Sequence, residues 1–195
     1  VEVYSVDEAF VDLSKIPAGE HLSFARRLKE TVEEWTGIQV SVGVGPGKTL
    51  AKLANRLAKK DKQGTAGVLL LETAYQWRAA LEQTPVGDLW GIGRRFARKL
   101  EEQWGISNAL QLSRMPEAWA RTQLGGVLGV RLIRELNGEQ SIEGKEPLEK
   151  KKRIATTRMF GKPVSGLQEL REAVATYTAR AAEKLRRQGS AAGEL

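Results

Sequence analysis

SVGVGPGKTLAKLANRLAKK, residues Ser41–Lys60, decides how the first third of the chain is built. Ile38, Val40, Val42 and Val44 alternate with smaller or polar residues and predict a strand; a Gly-Pro-Gly turn follows, and Lys48–Lys60 predicts a helix. At about 100° per residue, Lys48, Lys52, Arg56 and Lys59 fall within an arc of about 80°, opposite Leu50, Leu53, Ala54, Leu57 and Ala58. Such a helix offers one side to a core and the other to water or to an anion. Solvated faces usually mix signs, and here Asp61 is the only acid from Leu50 to Thr65. The centre, GVGPGKT, approaches a nucleotide-binding P-loop. Its spacing fails, because the first glycine would have to stand where Val42 is, and Pro46 removes a backbone N–H from a loop that must present them. The spacing therefore argues against an NTPase and leaves two readings open, a solvated face or a shortened loop that binds an anion at the helix N-terminus.

Upstream, VEVYSVDEAFVDL reads as two short strands bent at Asp7-Glu8. An acidic pair in a turn is ordinarily a polar turn. Apolar flanks on both sides make it also a candidate for two converging carboxylates, and oxygen-only donors suit Mg²⁺. Glu20–Trp35 carries Ala25, Leu28, Val32 and Trp35 at helical spacing, with Gly37 as the stop. Thr65–Leu71 is a further strand, so the opening third reads ββαβαβ, an α+β or α/β layer.

From Glu72 the pattern is helical. Thr73 can cap Ala74–Gln83 and Ser107 can cap Asn108–Met115, and the helices continue to Asn137. Within this region PVGDLWGIGRRFARKLEEQWG places two short helices around Gly91-Ile92-Gly93, with Arg94, Arg95, Arg98 and Lys99 opening the second. An αα-hairpin with a glycine turn has that form, and so does a helix-hairpin-helix that holds duplex backbone without reading bases. Residues 138–150 lack apolar periodicity and read as a linker. Beyond it KKRIATTRMFG predicts a strand and Leu167–Arg187 a long helix striped by Leu170, Val174, Tyr177, Ala181 and Leu185. One strand and one helix do not make a stable domain, so the end at Leu195 reads as truncated.

Composition narrows the classes. The chain has 195 residues, 41% of them apolar, and no run long enough to span a membrane. It has no cysteine, which excludes disulfides, thiolate zinc sites and cysteine nucleophiles and suits a reducing cytoplasm. Its sole histidine, His21, excludes a two-histidine metalloprotease and reads as a solvated residue near a helix start. A net charge of +7 favours a polyanionic partner.

YSVDEAFVDL, KTLAKLANRLAKK and PVGDLWGIGRRFARKL, in that order, resemble the Y-family translesion DNA polymerases. WGIGRR and RMFGKPVSGLQELREAVATYTARAAEKLR are similar to the UmuC-type branch, the catalytic subunit of DNA polymerase V. The resemblance implies an α+β fold: a partial ferredoxin-like palm (1–71), an all-α helix-hairpin-helix thumb (72–137) and, after the linker, the start of an α/β little finger (151–195). It implies that Asp7 and Glu8, in one motif with Ser5, are catalytic metal ligands for two Mg²⁺ ions. Lys59 falls on the family's triphosphate-binding lysine, with Lys48 and Lys52 as secondary candidates. Gly91, Gly93, Arg94 and Arg95 fall on the DNA-gripping hairpin, and Lys150–Arg153, with Lys152 and Arg153 foremost, lies where the linker meets DNA.

The implied partners are primer-template DNA, an incoming dNTP, a UmuD-type dimer, a RecA-type filament and a sliding clamp, in the cytoplasm at the bacterial nucleoid, in an SOS response to DNA damage. The family's first aspartate and its fingers precede the Asp-Glu turn and are not found from Val1 onward, so these 195 residues alone are expected to be inactive as a polymerase. A non-catalytic DNA-binding scaffold on the same fold is the competing expectation. Retention of both Asp7 and Glu8 favours the enzyme, since a scaffold gains nothing from two carboxylates beside a polyanion.

Overall fold

The computed structural model describes residues 1–142 and 153–193, and the chain divides into two compact units, Val1–Gly144 and Lys145–Leu195. In the first, β1 (Glu2–Val3) and β2 (Ala9–Phe10) pair antiparallel, with Glu2 opposite Phe10 and Val3 opposite Ala9. Tyr4 and Ser5 N–H both donate to the Glu8 carbonyl at 3.0 Å, which closes the bend and leaves Asp7 and Glu8 at the expected turn. After a 3-10 turn at Ala18–Glu20, α1 (His21–Thr36) runs to Gly37, whose φ of 68° is the left-handed conformation that ends helices. Ala25 packs with Val44 and Val68 in a small core. Trp35, expected on the same stripe, is 81% exposed, because that core does not reach the last turn of α1.

β3 (Val42–Val44), α2 (Lys48–Lys60), α3 (Lys62–Thr65) and β4 (Val68–Leu70) follow, and β3 pairs parallel with β4, Val42 opposite Val68. The strand expected from Ile38 is shorter. Ile38 is exposed, and the Val40 N–H donates to Glu33 Oε1 at 2.9 Å instead of to a neighbouring strand. Among the described residues the two strand pairs remain separate sheets. A Cβ at Gly43 would lie 2.0 Å from the Asn55 nitrogen, so only glycine lets α2 lie flat on β3.

Thr73 caps α4 (Ala74–Glu82) as expected, and Gln76 returns the bond to complete a capping box. A 3-10 turn at Val86–Asp88 stands where the first hairpin helix was expected, and α5 (Arg94–Trp104) is the second. α6 (Ala109–Ser113) is capped by Asn108 and not Ser107. Asn108 Oδ1 accepts from the Gln111 N–H while Gln111 Oε1 accepts from the N–H groups of both Ser107 and Asn108. α7 (Glu117–Gln123) and α8 (Val127–Leu136) complete the unit.

Leu50, Leu53 and Ala54 of α2 share one core with Leu81, Leu100, Leu112 and Leu136. Packing therefore runs unbroken across residue 71. Each fully buried leucine contributes about 2 kcal/mol relative to exposure, and the helical region and α2 stabilise one another.

In the second unit α9 (Leu167–Arg187) has the expected span, but the strand expected over 151–161 does not form among its described residues. Arg153–Phe160 has no strand to pair with there. Lys184 Nζ donates to the Ala155 carbonyl at 3.2 Å and ties this segment to α9. No helix among the described residues is long and apolar enough to cross a membrane.

Candidate metal and phosphate site

The site is assembled from the acidic turn, one face of α2 and the glycine turn before α5. In the turn, the Ser5 hydroxyl donates to Asp7 Oδ1 at 2.7 Å. That bond first, and then the Asp7 backbone N–H, hold the exposed Asp7 carboxyl below the ordinary carboxylate value; desolvation opposes them, and the Lys59 and Lys52 charges are lesser contributions in the same downward direction. Glu8 turns towards α2, and Lys52 Nζ donates to its two oxygens at 2.9 and 2.8 Å.

Other cations of the α2 face are also engaged. Lys48 Nζ lies 2.5 Å from Glu2 Oε2, and Arg56 Nη2 lies 2.5 Å from Asp88 Oδ1. Lys59 is exposed and has no hydrogen-bond or ion-pair partner among the described residues. Of the four cations that the sequence places on this face, three are thus neutralised and Lys59 is open.

An aromatic cluster missed by the sequence reading joins these parts. Trp90 meets Tyr4 edge-on at 5.4 Å and Phe10 at 6.0 Å, and its Nε1–H donates to the Tyr4 hydroxyl at 3.2 Å. Lys52 Nζ lies 4.7 Å from the Tyr4 ring centroid and 5.2 Å from that of Trp90, and Lys48 Nζ lies 5.3 Å from that of Phe10. The residue that opens the acidic turn is thereby packed against the residue that opens the glycine turn. The available signal was three aromatics flanking two polar motifs.

Gly91 has a φ of 89°, which favours glycine, and a Cβ there would meet nothing within 4 Å, so the turn is open to a ligand. Ile92, 8% exposed, anchors it from below. Gly93 caps α5 without a side chain: its carbonyl accepts the Phe96 and Ala97 N–H groups at 2.9 Å, and no side chain caps the first turn, which carries the exposed Arg94 and Arg95. Arg153 is exposed in the second unit; Lys150 and Lys152 lie outside the described residues.

Glu135, which the sequence reading also missed, settles the P-loop resemblance. Its carboxylate reaches the N-terminus of α2, where Oε2 accepts the Thr49 N–H at 2.9 Å. A phosphate at that helix terminus would need the place this carboxylate fills. The signal was an acid among the buried residues Leu132, Ile133 and Leu136.

His21 is more than a solvated residue. Nε2 donates to the Ile16 carbonyl at 2.9 Å and Nδ1 to Glu72 Oε1. Two acceptors require two ring N–H groups, hence the imidazolium, and the bond to Glu72 is the first cause that raises the His21 pKa.

A model of the impB/mucB/samB family matches residues 1–56, and a model of that family's C-terminal domain matches residues 151–195, together more than half of the chain. The chain belongs to the impB/mucB/samB family. It is similar to Protein UmuC of Salmonella typhimurium, with 43% identity over 187 residues that make up 95% of this chain and 44% of that protein. It is also similar to DNA polymerase IV of Corynebacterium diphtheriae, with 35% identity over 146 residues, 73% of this chain and 31% of that one. In fold it resembles the crystal structure of DinB from Sulfolobus solfataricus, with a TM-score of 0.54, 28% identity, and coverage of 70% of this chain and 38% of that one. The chain spans less than half the length of these relatives.

In this member of the impB/mucB/samB family the acidic turn offers only hard oxygen donors. Among the described residues no three His, Cys, Asp or Glu side chains converge. Asp7 and Glu8 fit a cation that keeps most of its water, as Mg²⁺ does, provided Lys52 yields at least one Glu8 oxygen.

Proposed function

We propose that this chain carries part of the catalytic body of a UmuC-type Y-family translesion DNA polymerase, which performs template-directed nucleotidyl transfer across damaged DNA. The observation that carries this reading is the acidic turn fastened beside the cationic face of α2, with Lys59 as the face's open cation. In this assignment residues 1–71 are palm, 72–137 helix-hairpin-helix thumb and 151–195 little finger. The palm and thumb then share one core through α2, and the Tyr4–Trp90 contact ties the acidic turn to the glycine turn.

Asp7 and Glu8 would hold Mg²⁺, which when bound lowers the pKa of the primer 3′-hydroxyl and neutralises the triphosphate. The Ser5 hydroxyl orients the Asp7 carboxylate and favours its ionised form. Lys59 would take up the charge developing on the departing pyrophosphate. Lys48 and Lys52 hold the hairpin through Glu2 and Glu8, and reach phosphate only by releasing those carboxylates. Gly91, Gly93, Arg94 and Arg95 would grip duplex phosphates, with Arg153 and Lys152 further along the DNA. Primer-template DNA and a dNTP are the proposed substrates. A UmuD-type dimer, a RecA-type filament and a sliding clamp are proposed partners, in a bacterial cytoplasm at the nucleoid.

Binding of dNTP and duplex, measured separately, tests the Lys59 assignment. Lys59→Ala should weaken dNTP binding to the chain–duplex complex by about tenfold, in keeping with loss of one charge-assisted contact, and leave duplex affinity within about twofold. Equal losses would make Lys59 a DNA contact.

A further inference from the structure

Among the described residues Glu135 is the only buried charged side chain, at 1% exposed. A carboxylate in such surroundings is costly unless donors surround it. Its partners are backbone N–H groups from two separate segments. Oε2 accepts from Thr49 in the first turn of α2 at 2.9 Å, and Oε1 accepts from Ser141 at 2.9 Å and Ile142 at 3.1 Å, in the chain leaving α8. The pocket has no room to spare: a Cβ at Gly47 would lie 2.5 Å from Oε2.

We propose that Glu135 is a positioning residue, a built-in anion that latches the start of the linker to the start of the basic helix. One oxygen faces each segment, so a single group sets both the point from which the linker departs and the register of the cationic face of α2. A simple helix cap would serve Thr49 alone, and a simple linker clasp would have no reason to enter a helix N-terminus shaped by glycine. The α2 N-terminus supplies the positive end of a dipole, and the Ser141 and Ile142 N–H groups supply a second set of donors that a neutral side chain could not satisfy equally. The proposal rests on the polymerase reading only in giving the α2 face its phosphate; the latch itself is tested without DNA, metal or nucleotide.

The test follows amide hydrogen exchange at Thr49, Ser141 and Ile142 in the 195-residue chain, with Leu100 and Leu112 as core references. Glu135→Gln should speed exchange at all three latch amides by about tenfold or more while the references hold. Gly47→Ala, which keeps the carboxylate but crowds it, should release the same three. In Glu135→Ala, sodium formate should restore their protection saturably, since the small carboxylate can enter the emptied slot; Glu135→Gln, whose amide fills the slot, should not respond. Should Glu135→Ala fail to fold without formate, Gly47→Ala and Glu135→Gln, each compared with the unsubstituted chain, still decide the matter. Release of Thr49 alone, or formate acting no more on Glu135→Ala than on Glu135→Gln, would overturn the latch.

Discussion

Lys52 Nζ lies 2.8 Å from Glu8 Oε2, so a lysine of the basic helix holds a carboxylate of the acidic turn. The Glu8 side chain is 45% exposed, which limits the pair to about 0.5–1 kcal/mol. A double-mutant cycle with Lys52→Met and Glu8→Gln should show coupling of that size at low ionic strength, and most of it should vanish near about 1 M salt. Lys52→Met alone should cost more than Glu8→Gln, because it also removes the contacts with the Tyr4 and Trp90 rings.

If the glycine turn and its arginines grip phosphates, duplex affinity should fall steeply with salt as counterions are released. Arg94→Ala and Arg95→Ala should each lower the slope of log K against log salt by about one, without changing sequence preference. Salt-independent binding, or unaltered slopes, would remove the hairpin assignment.

The His21–Glu72 pair makes stability depend on pH in a definite direction. The His21 pKa is raised in the folded chain, first by the bond to Glu72. The contribution is therefore complete below the unfolded value of about 6.5 and is lost as pH rises through the higher folded pKa. The stability difference between the unsubstituted chain and Glu72→Gln should be widest near about pH 5.5 and should close towards about pH 9. A gap that widens with pH would contradict the imidazolium.

Thr49 is 1% exposed and its hydroxyl has no hydrogen-bond partner among the described residues. Thr49→Val keeps the branched shape and removes the orphan group, so it should stabilise the chain by about 1 kcal/mol in chemical denaturation. Destabilisation would mean the hydroxyl is satisfied in solution.

Periodicity and punctuation were legible in the sequence. The bounds of α2 and α9, the Gly37 stop, the Thr73 cap and the acidic bend between two strands each depend on neighbours in the chain. Features that depend on distant partners were not. Ile38–Ser41 has strand alternation but no strand beside it, and the same holds for Arg153–Phe160 among the described residues. The cationic face was visible, yet Glu2, Glu8 and Asp88, which neutralise three of its members, come from outside the helix. Glu135 lies 86 residues from the N–H it caps, beyond the reach of any local pattern.

In the proposed function the acidic turn and Lys59 together hold a metal–triphosphate pair. Binding of Mn²⁺ with a dNTP to the chain on primer-template duplex, followed by electron paramagnetic resonance, tests it most directly. Bound Mn²⁺ is expected, its retention requiring the nucleotide, lost in Asp7→Asn and sharply reduced in Lys59→Ala, with duplex affinity preserved in both. Retention of metal and nucleotide by Asp7→Asn at the level of the unsubstituted chain would contradict it.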